Sequence, residues 1–304
     1  MTPITAHRSI AGKKPFAMSL IPSHPAAAAP ELAELLRARY GKAAPVLPEG
    51  SLSLPEILEP LLAHRSVRAY LPNPLPPHAL DLIIAAAQSA PTSSNLQAWS
   101  VVAVEEPARK ARLAGLCRDQ RHIHEAPLFL VWIADLSRLR RLADRNGIPA
   151  SGLDYLESFL VAVIDATLAA QNAVVAAESL GLGTVCIGAI RNESVKVAAE
   201  LDLPTEAFPV FGLVVGHPDP ARPAAEVKPR LPQSEILHRE TYRFASEEAA
   251  FTEYDAVLGA FQASQKLPIT GWTRQATKRA SDVSALGSRV HLAKAIASLG
   301  FKLD

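Results

Sequence analysis

The chain predicts a layered fold of sheet and helices, α/β or α+β, on three observations. Short β-branched or apolar runs, WSVVAVE (99–105) and PLFLVWIAD (127–135), alternate with stretches whose apolar residues recur at helical spacing. The run at 127–135 is apolar at almost every position, the pattern of a strand covered on both faces. With 304 residues, 49% of them hydrophobic, there is ample apolar material for such a core.

SLPEILEPLLAH (53–64) has apolar positions near i, i+3, i+4 and i+7, with Ser53 as cap and Pro55 and Glu56 in the first turn. PPHALDLIIAAAQSA (76–90) and EPARKARLAGLCRD (106–119) repeat the helical pattern on either side of the first strand. After the second strand, residues 156–183 form the longest apolar stretch, read as a long helix stopped by Gly181 and Gly183. A strand GTVCIGAI (183–190), a short helix from Glu193 and a strand PVFGLVVGHP (209–218) follow. Beyond Pro218 a proline-rich, charged segment reads as extended surface chain, and two helical stretches, 246–265 and 272–299, close the sequence.

Composition excludes several functions. The 31 basic and 30 acidic residues leave a net charge of +1, so nothing in bulk attracts nucleic acid or an anionic membrane. Cys117 and Cys186 are the two cysteines, too few for a disulfide framework, which favours a reducing, cytoplasmic setting. Residues 1–30 carry Arg8, Lys13 and Lys14 with no acid before Glu31, but no apolar core of signal-peptide length. They read as a disordered leader, or as a start placed too early with Met18 as the rival. Asp165, Gln171, Asn172 and Glu178 interrupt the long apolar stretch, each costly in lipid, so it reads as a buried helix and not a membrane span.

Familiar catalytic motifs are missing. GLGTVCIG follows a helix and opens a strand, the reverse of the dinucleotide fingerprint. There is no GKS or GKT, no HExxH, no paired-cysteine zinc spacing and no G-x-S-x-G elbow, so no metal site is expected. Cys186, in an apolar strand-like run, is expected to be buried and inert.

Four polar clusters remain. HRSVR (64–68) gathers His64, Arg65, Ser66 and Arg68 just before the turn-rich LPNPLPP. Its arginines suit bidentate phosphate binding, yet the same composition also describes a small anion or nucleic-acid patch. SAPTSSNLQAW (89–99) aims Thr92, Ser93, Ser94, Asn95 and Gln97 from one loop, or is simply a well-capped turn. In VCIGAIRN (185–192), Gly188 and Ala189 allow a flat ligand close to the backbone. KPRLP (228–232) holds two cations in a proline-stiffened segment, or is a solvated loop. Polar-ligand loops without a nucleophile, metal or acid–base pair fit a cofactor that brings its own reactivity.

Taken together and in this order, the clusters resemble the oxygen-insensitive nitroreductase and NAD(P)H flavin reductase family, closest to its major NADPH-preferring branch. The segments that carry the resemblance are HRSVRAY (64–70), SSNLQAWSVV (93–102), QRH (120–122), AQNAVVAAESLGLGTVCIGAIRN (170–192), FGLVVGHP (211–218) and KPRLP…HRETY (228–242). The resemblance implies an α+β sandwich with a mixed central sheet, an intertwined homodimer and one FMN in each of two interface clefts. It divides the chain into an N-terminal extension (1–50, partly disordered), an FMN-binding core (51–245) and a C-terminal helical segment (246–304) near the interface and active site. ELAELLRARYGKAAP, outside the resemblance, reads as an added helix covering the dimer surface.

By the same resemblance His64, Arg65, Ser66 and Arg68 form the first flavin-contacting run. Arg65 is then a main phosphate ligand, and Arg68 lies at the pyrimidine side of the ring. Ser93, Ser94 and Gln97 come from the loop near ring and phosphate, and Gln120 is a ring-edge contact. Ile187, Gly188 and Ala189 supply backbone at the flavin, and Lys228 and Arg230 the second phosphate-binding pair. The implied activity is ping-pong transfer of hydride from NADPH or NADH to nitroaromatics and quinones, with no catalytic side chain. The alternatives are a flavin reductase supplying reduced FMN, or a dedicated biosynthetic reductase on the same fold; a non-catalytic anion-binding module is the third. The branch's arginine-rich loop corresponds here to SQKLPITGW (264–272), with Lys266 and Arg274 as its nearby cations, so either nucleotide is expected as donor. Cys186 stands where the family has an aromatic residue, and Ala189 where it has a glycine.

Overall fold

The structure, a computed structural model, describes residues 32–45, 57–222, 225–244 and 247–304. The leader at 1–30 and the helix start at Ser53, Pro55 and Glu56 lie outside the described residues.

The centre is a four-stranded antiparallel sheet in the order β1 (Trp99–Val104), β2 (Leu128–Asp135), β4 (Ala207–Gly216), β3 (Gly183–Ile187). All eight residues of β2 are buried, as its unbroken apolar run requires of an inner strand. Parallel pairing enters at one bridge, Ser66 to Thr184, which lays the HRSVRAY segment along the outer edge of β3. Val67 N donates to Thr184 O at 2.9 Å, and Leu71 N to His217 O at 2.9 Å beyond the end of β4.

Helices cover both faces, which makes the fold an α+β sandwich. On one face α3 (Ala79–Gln88) and α7 (Leu156–Ser179) pack Ile83, Ala87, Ala169, Ala173 and Ala177 against Leu128, Leu130, Trp132 and Leu213. The alanine row lets α7 approach the sheet closely. On the other face α4 (Pro107–Leu116), α5 (Arg121–Glu125) and α8 (Ser194–Glu200) set Leu113, Ile123 and Val197 over Phe129, Val131 and Val214. The remaining described helices are α1 (Leu32–Tyr40), α2 (Leu58–Ala63), α6 (Ser137–Arg145), α9 (Glu247–Ser264), α10 (Trp272–Ala280) and α11 (Leu292–Ser298).

Two boundaries differ from the sequence expectation. The stretch 272–299 is not one helix: Asp282 accepts from Ser284 N at 2.7 Å, a new cap, and Gly287 at φ +59° breaks the chain inside a 3-10 segment before α11. The strand expected over 183–190 stops at Ile187, and 188–193 coil into a 3-10 turn. The amphipathic α6 carried too few apolar positions to be read from sequence.

Alone among the described helices, α7 has the length and apolarity to cross a membrane, and its alanine face is the core of this domain. Asp165, on that buried face, is only 1% exposed. Its carboxylate accepts from Thr92 Oγ1 at 2.6 Å, Ala98 N at 3.0 Å and Ser93 N at 3.3 Å, so a buried charge is satisfied by the loop it organises. The opposite side of α7 leaves Leu156, Leu160, Ile164 and Leu168, one per turn, between 39 and 54% exposed. Asp165→Ala leaves three donors without their acceptor, one of them on buried Ala98, an expected loss of about 1–3 kcal/mol. Thermal denaturation should show a midpoint lower by roughly 2–5 °C; an unchanged midpoint would refute the assigned role.

Candidate cofactor-binding site

HRSVRAY is seated by its apolar members. Val67 is buried against β3, where a Cβ on Gly183 would fall 2.7 Å from Val67 Cγ2, so the close approach demands glycine. Tyr70, 2% exposed, donates its hydroxyl to Val67 O at 2.7 Å. With Val67 and Tyr70 anchored, Arg65 and Arg68 remain exposed on the surface of the segment. His64 Nδ1 lies 2.7 Å from Glu178 Oε1, the oxygen that also accepts from Thr184 Oγ1 at 2.7 Å.

The KPR segment is brought to the same place by α1. Arg39 donates through Nη1 to Lys228 O at 3.1 Å, and through Nη2 to Leu62 O at 2.7 Å and His64 O at 3.1 Å. Arg230 N donates to Arg39 O at 2.8 Å. A cavity of about 190 Å³ between the segments is lined by Arg39, His64, Gln171, Glu178 and Arg230. Another of about 220 Å³ is bordered by Arg65, Val67, Glu178 and Gly183.

The electrostatics are those of an anion cradle. Burial lowers the Lys228 ammonium below the usual lysine range, and the charges of Arg68 and Arg230 lower it further. Burial, then Arg230, lowers Arg39 as well. His122 is buried, its pKa is lowered by burial and then by Arg68, and its Nε2 has no hydrogen-bond partner among the described residues. The imidazole is therefore neutral at pH 7. Arg39, Arg65, Arg68, Lys228 and Arg230 share this region, and among the described residues that line the two cavities Glu178 is the carboxylate, a donor set that suits a dianionic phosphate.

Ser93, Ser94 and Gln97 lie elsewhere. Their loop carries positive φ at Ser94 (48°), Asn95 (56°) and Gln97 (50°), held by Asp165 and by Gln97 N donating to Thr92 Oγ1 at 2.8 Å. It leads into β1 at Trp99, level with Ala134 and hence with Phe208 of β4, whereas Ser66 sits beside Thr184, level with Val215. The separation is four strand spacings across, about 19 Å, and seven residues along, about 23 Å. One chain thus gathers His64, Arg65, Ser66, Arg68, Lys228 and Arg230, and places Ser93, Ser94 and Gln97 at the opposite corner of the sheet.

Gln120 caps the start of α5, with its Nε2 donating to Cys117 O at 2.8 Å. Ile187 closes β3, and Gly188 and Ala189 begin the 3-10 turn. Gly188 O accepts from Arg289 Nη2 at 2.8 Å, and Arg289 Nε donates to Asn192 Oδ1 at 2.9 Å. Burial lowers the Arg289 pKa, followed by Arg191, Arg279 and Arg118, so a second group of cations faces this turn. Sequence reasoning missed Arg39 and Arg289, which lie in segments with no local motif; His122 stood within the quoted QRH without a role.

Cys186 corrects an expectation. It reaches the surface instead of being buried, although the other four residues of β3 are buried, its neighbours Val185 and Ile187 among them. Its surroundings still raise the thiol pKa, through burial first and Glu178 second. Burial pushes Cys117 up to about 12. Both thiols are protonated at neutral pH, so neither is an activated nucleophile.

Known proteins share this architecture. The model of the Nitroreductase family matches residues 61–217, and that of the Nitroreductase family C-terminal domain matches 228–304. The chain is 39% identical over 207 residues to an FMN reductase (NADPH) of Bacillus subtilis, covering 67% of this chain and 82% of that protein. It is 36% identical over 204 residues to an oxygen-insensitive NADPH nitroreductase of Salmonella typhimurium, covering 67% and 81%. Among solved structures, NfrA2 of B. megaterium superposes with a TM-score of 0.77 at 36% identity, over 83% of this chain and all of that one. The NADPH:FMN oxidoreductase of Vibrio harveyi, complexed with NAD+, does so at 0.72 and 31%, over 82% and 99%. A family match spanning more than half the chain, joined to relatives of this similarity, establishes that the chain belongs to the nitroreductase family.

Proposed function

We propose that the chain is an FMN-dependent NAD(P)H oxidoreductase that reduces nitroaromatics and quinones. The observation that carries this reading is the cradle of Arg65, Arg68, Lys228 and Arg230, with Glu178 as the carboxylate among the described lining residues, a site whose excess positive charge an anion relieves. The residues present fit FMN: forked guanidiniums for its phosphate, and the orphaned His122 Nε2 beside Arg68 as a hydrogen-bonding group toward the ring. FMN, when bound, supplies two-electron transfer from NADPH or NADH to an acceptor that enters the same cleft afterwards.

The chain's own residues bind and orient. Arg65, Lys228 and Arg230 hold the phosphate, and His64 and Ser66 flank it. Arg68 would hold positive charge at the pyrimidine side of a bound ring, an environment that favours an anionic form. Ile187, Gly188 and Ala189 present backbone, and Gln120 borders the ring edge. Ser93, Ser94 and Gln97 are too far away to serve the cradle of their own chain, so they complete the cleft of a second copy. The exposed apolar row on α7 is the surface that buries itself in that homodimer. Relatives named FMN reductase (NADPH) and NADPH-flavin oxidoreductase support the second reading, in which free FMN is itself the acceptor.

The deciding experiment is anaerobic titration of FMN-loaded protein with NADH and, separately, NADPH, followed by flavin absorbance. Bleaching by either nucleotide is expected, and a protein that takes up no FMN overturns the proposal. Fast turnover of free FMN with slow turnover of nitrofurans and quinones would select the second reading.

Lys228 gives a signed prediction. Its pKa in the folded chain lies below its unfolded value, so its charge opposes folding at neutral pH, and stability rises as pH climbs through the folded pKa. Lys228→Met should raise the melting temperature of the FMN-free protein at pH 7. It should also weaken FMN binding about tenfold, the equivalent of ~1.4 kcal/mol. A lower melting temperature, or undiminished FMN affinity, would contradict this account.

Ile164→Asp, on the exposed side of α7, should convert a dimer to a monomer in light scattering after size exclusion. The monomer should bind FMN more weakly, having lost the partner's loop. A variant that stays dimeric removes α7 from the interface.

A further inference from the structure

Arg39 lies on α1, ahead of both regions that match the family, yet it is built into the cradle. It is 6% exposed, and its guanidinium is satisfied by three main-chain carbonyls, those of Leu62, His64 and Lys228. Its own carbonyl accepts from Arg230 N. Four hydrogen bonds from one residue thus join the chain entering HRSVR to the KPR segment. From another side, Tyr254 OH donates to Pro229 O at 2.9 Å, so residues 228–230 are gripped at three consecutive positions.

This junction opposes a repulsion. Arg65 and Arg68 on one segment and Lys228 and Arg230 on the other carry like charge; burial first, and then the charges of Arg68 and Arg230, lower the Lys228 pKa. Left to themselves the two segments would drift apart without an anion between them. A planar guanidinium with several fixed donors spans both sets of carbonyls at once, which a point-like ammonium cannot do. The guanidinium donates to three main-chain carbonyls, so Arg39 acts on the segments' spacing and not as a further ligand of the phosphate.

We propose that Arg39 is a positioning residue for the phosphate of FMN, an inference that rests on the FMN reading above. It fixes the gap between the two cation-bearing segments, so that the phosphate meets both already in place and less binding energy is lost in ordering them. The residue comes from the N-terminal extension, so cofactor retention in this chain depends on a part of the sequence outside the family-matched core.

The test uses the full chain, wild type, Arg39→Met and Arg39→Lys, with dissociation constants for FMN and riboflavin from flavin fluorescence. Riboflavin has the ring and no phosphate, so it separates a phosphate-specific effect from general loosening. The expected result is FMN affinity reduced at least tenfold in both variants, with riboflavin affinity within twofold of wild type. Circular dichroism and melting of the flavin-free proteins check the fold; if Arg39→Met fails to fold, Arg39→Lys supplies the same comparison. Equal losses for FMN and riboflavin, or no loss for FMN, overturn the role of Arg39 alone. Wild-type protein that binds no FMN overturns the FMN reading itself, and this inference with it.

Discussion

Crowding of like charge is the constraint on which the rest depends. Arg65, Arg68, Lys228 and Arg230 are brought together by folding, with Glu178 as the carboxylate among the described residues that line the adjoining cavities. Such a cluster lowers stability unless covalent connectivity and neutral hydrogen bonds enforce it. The enforcement is visible in main-chain carbonyls: Leu62, His64 and Lys228 all accept from Arg39, and Pro229 accepts from Tyr254. Carbonyls hold the segments without neutralising them. A carboxylate at the same positions would have steadied the fold and abolished the attraction for a phosphate.

The second constraint is the width of the sheet. A four-stranded sheet with the 64–70 segment on one edge and the 93–97 loop feeding the other cannot bring both to one ligand. The separation of the two segments follows directly from the strand order β1-β2-β4-β3. The homodimer proposed above answers it, since a two-fold partner that brings its opposite corner over the cradle would complete two sites with one self-complementary surface.

Much of this was legible in the sequence because short-range chemistry expresses itself locally. β2 could be read from an unbroken apolar run, and α7 from its length and its glycine stop. HRSVR and KPR were visible as clustered cations, each with a plain surface reading beside the phosphate one, and their order together with the other clusters carried the resemblance. What could not be read depends on distant partners. Arg39 and Arg289 are ordinary arginines until folding sets them against Lys228 and Gly188. Cys186 was expected inside because its neighbours are apolar, but the structure leaves it as the exposed residue of a strand whose other four residues are buried, and no window of sequence encodes what packs over one position. Gly287 interrupts a stretch of otherwise helical composition, where one positive φ outweighs the propensity of its neighbours. Asp165 was noted as a charge unfit for lipid; its bonds to Thr92, Ser93 and Ala98 connect residues more than sixty positions apart.

That same aspartate gives α7 two jobs on opposite sides of one rod. Its inner side braces the loop carrying Ser93 and Gln97, and its outer side bears the leucine and isoleucine row. A helix of 24 residues held by a close-packed sheet transmits displacement as a rigid body. In the homodimer proposed above, whatever tilts α7 at the outer row also shifts the anchor of the loop, so separation of two copies would loosen the loop in the same step.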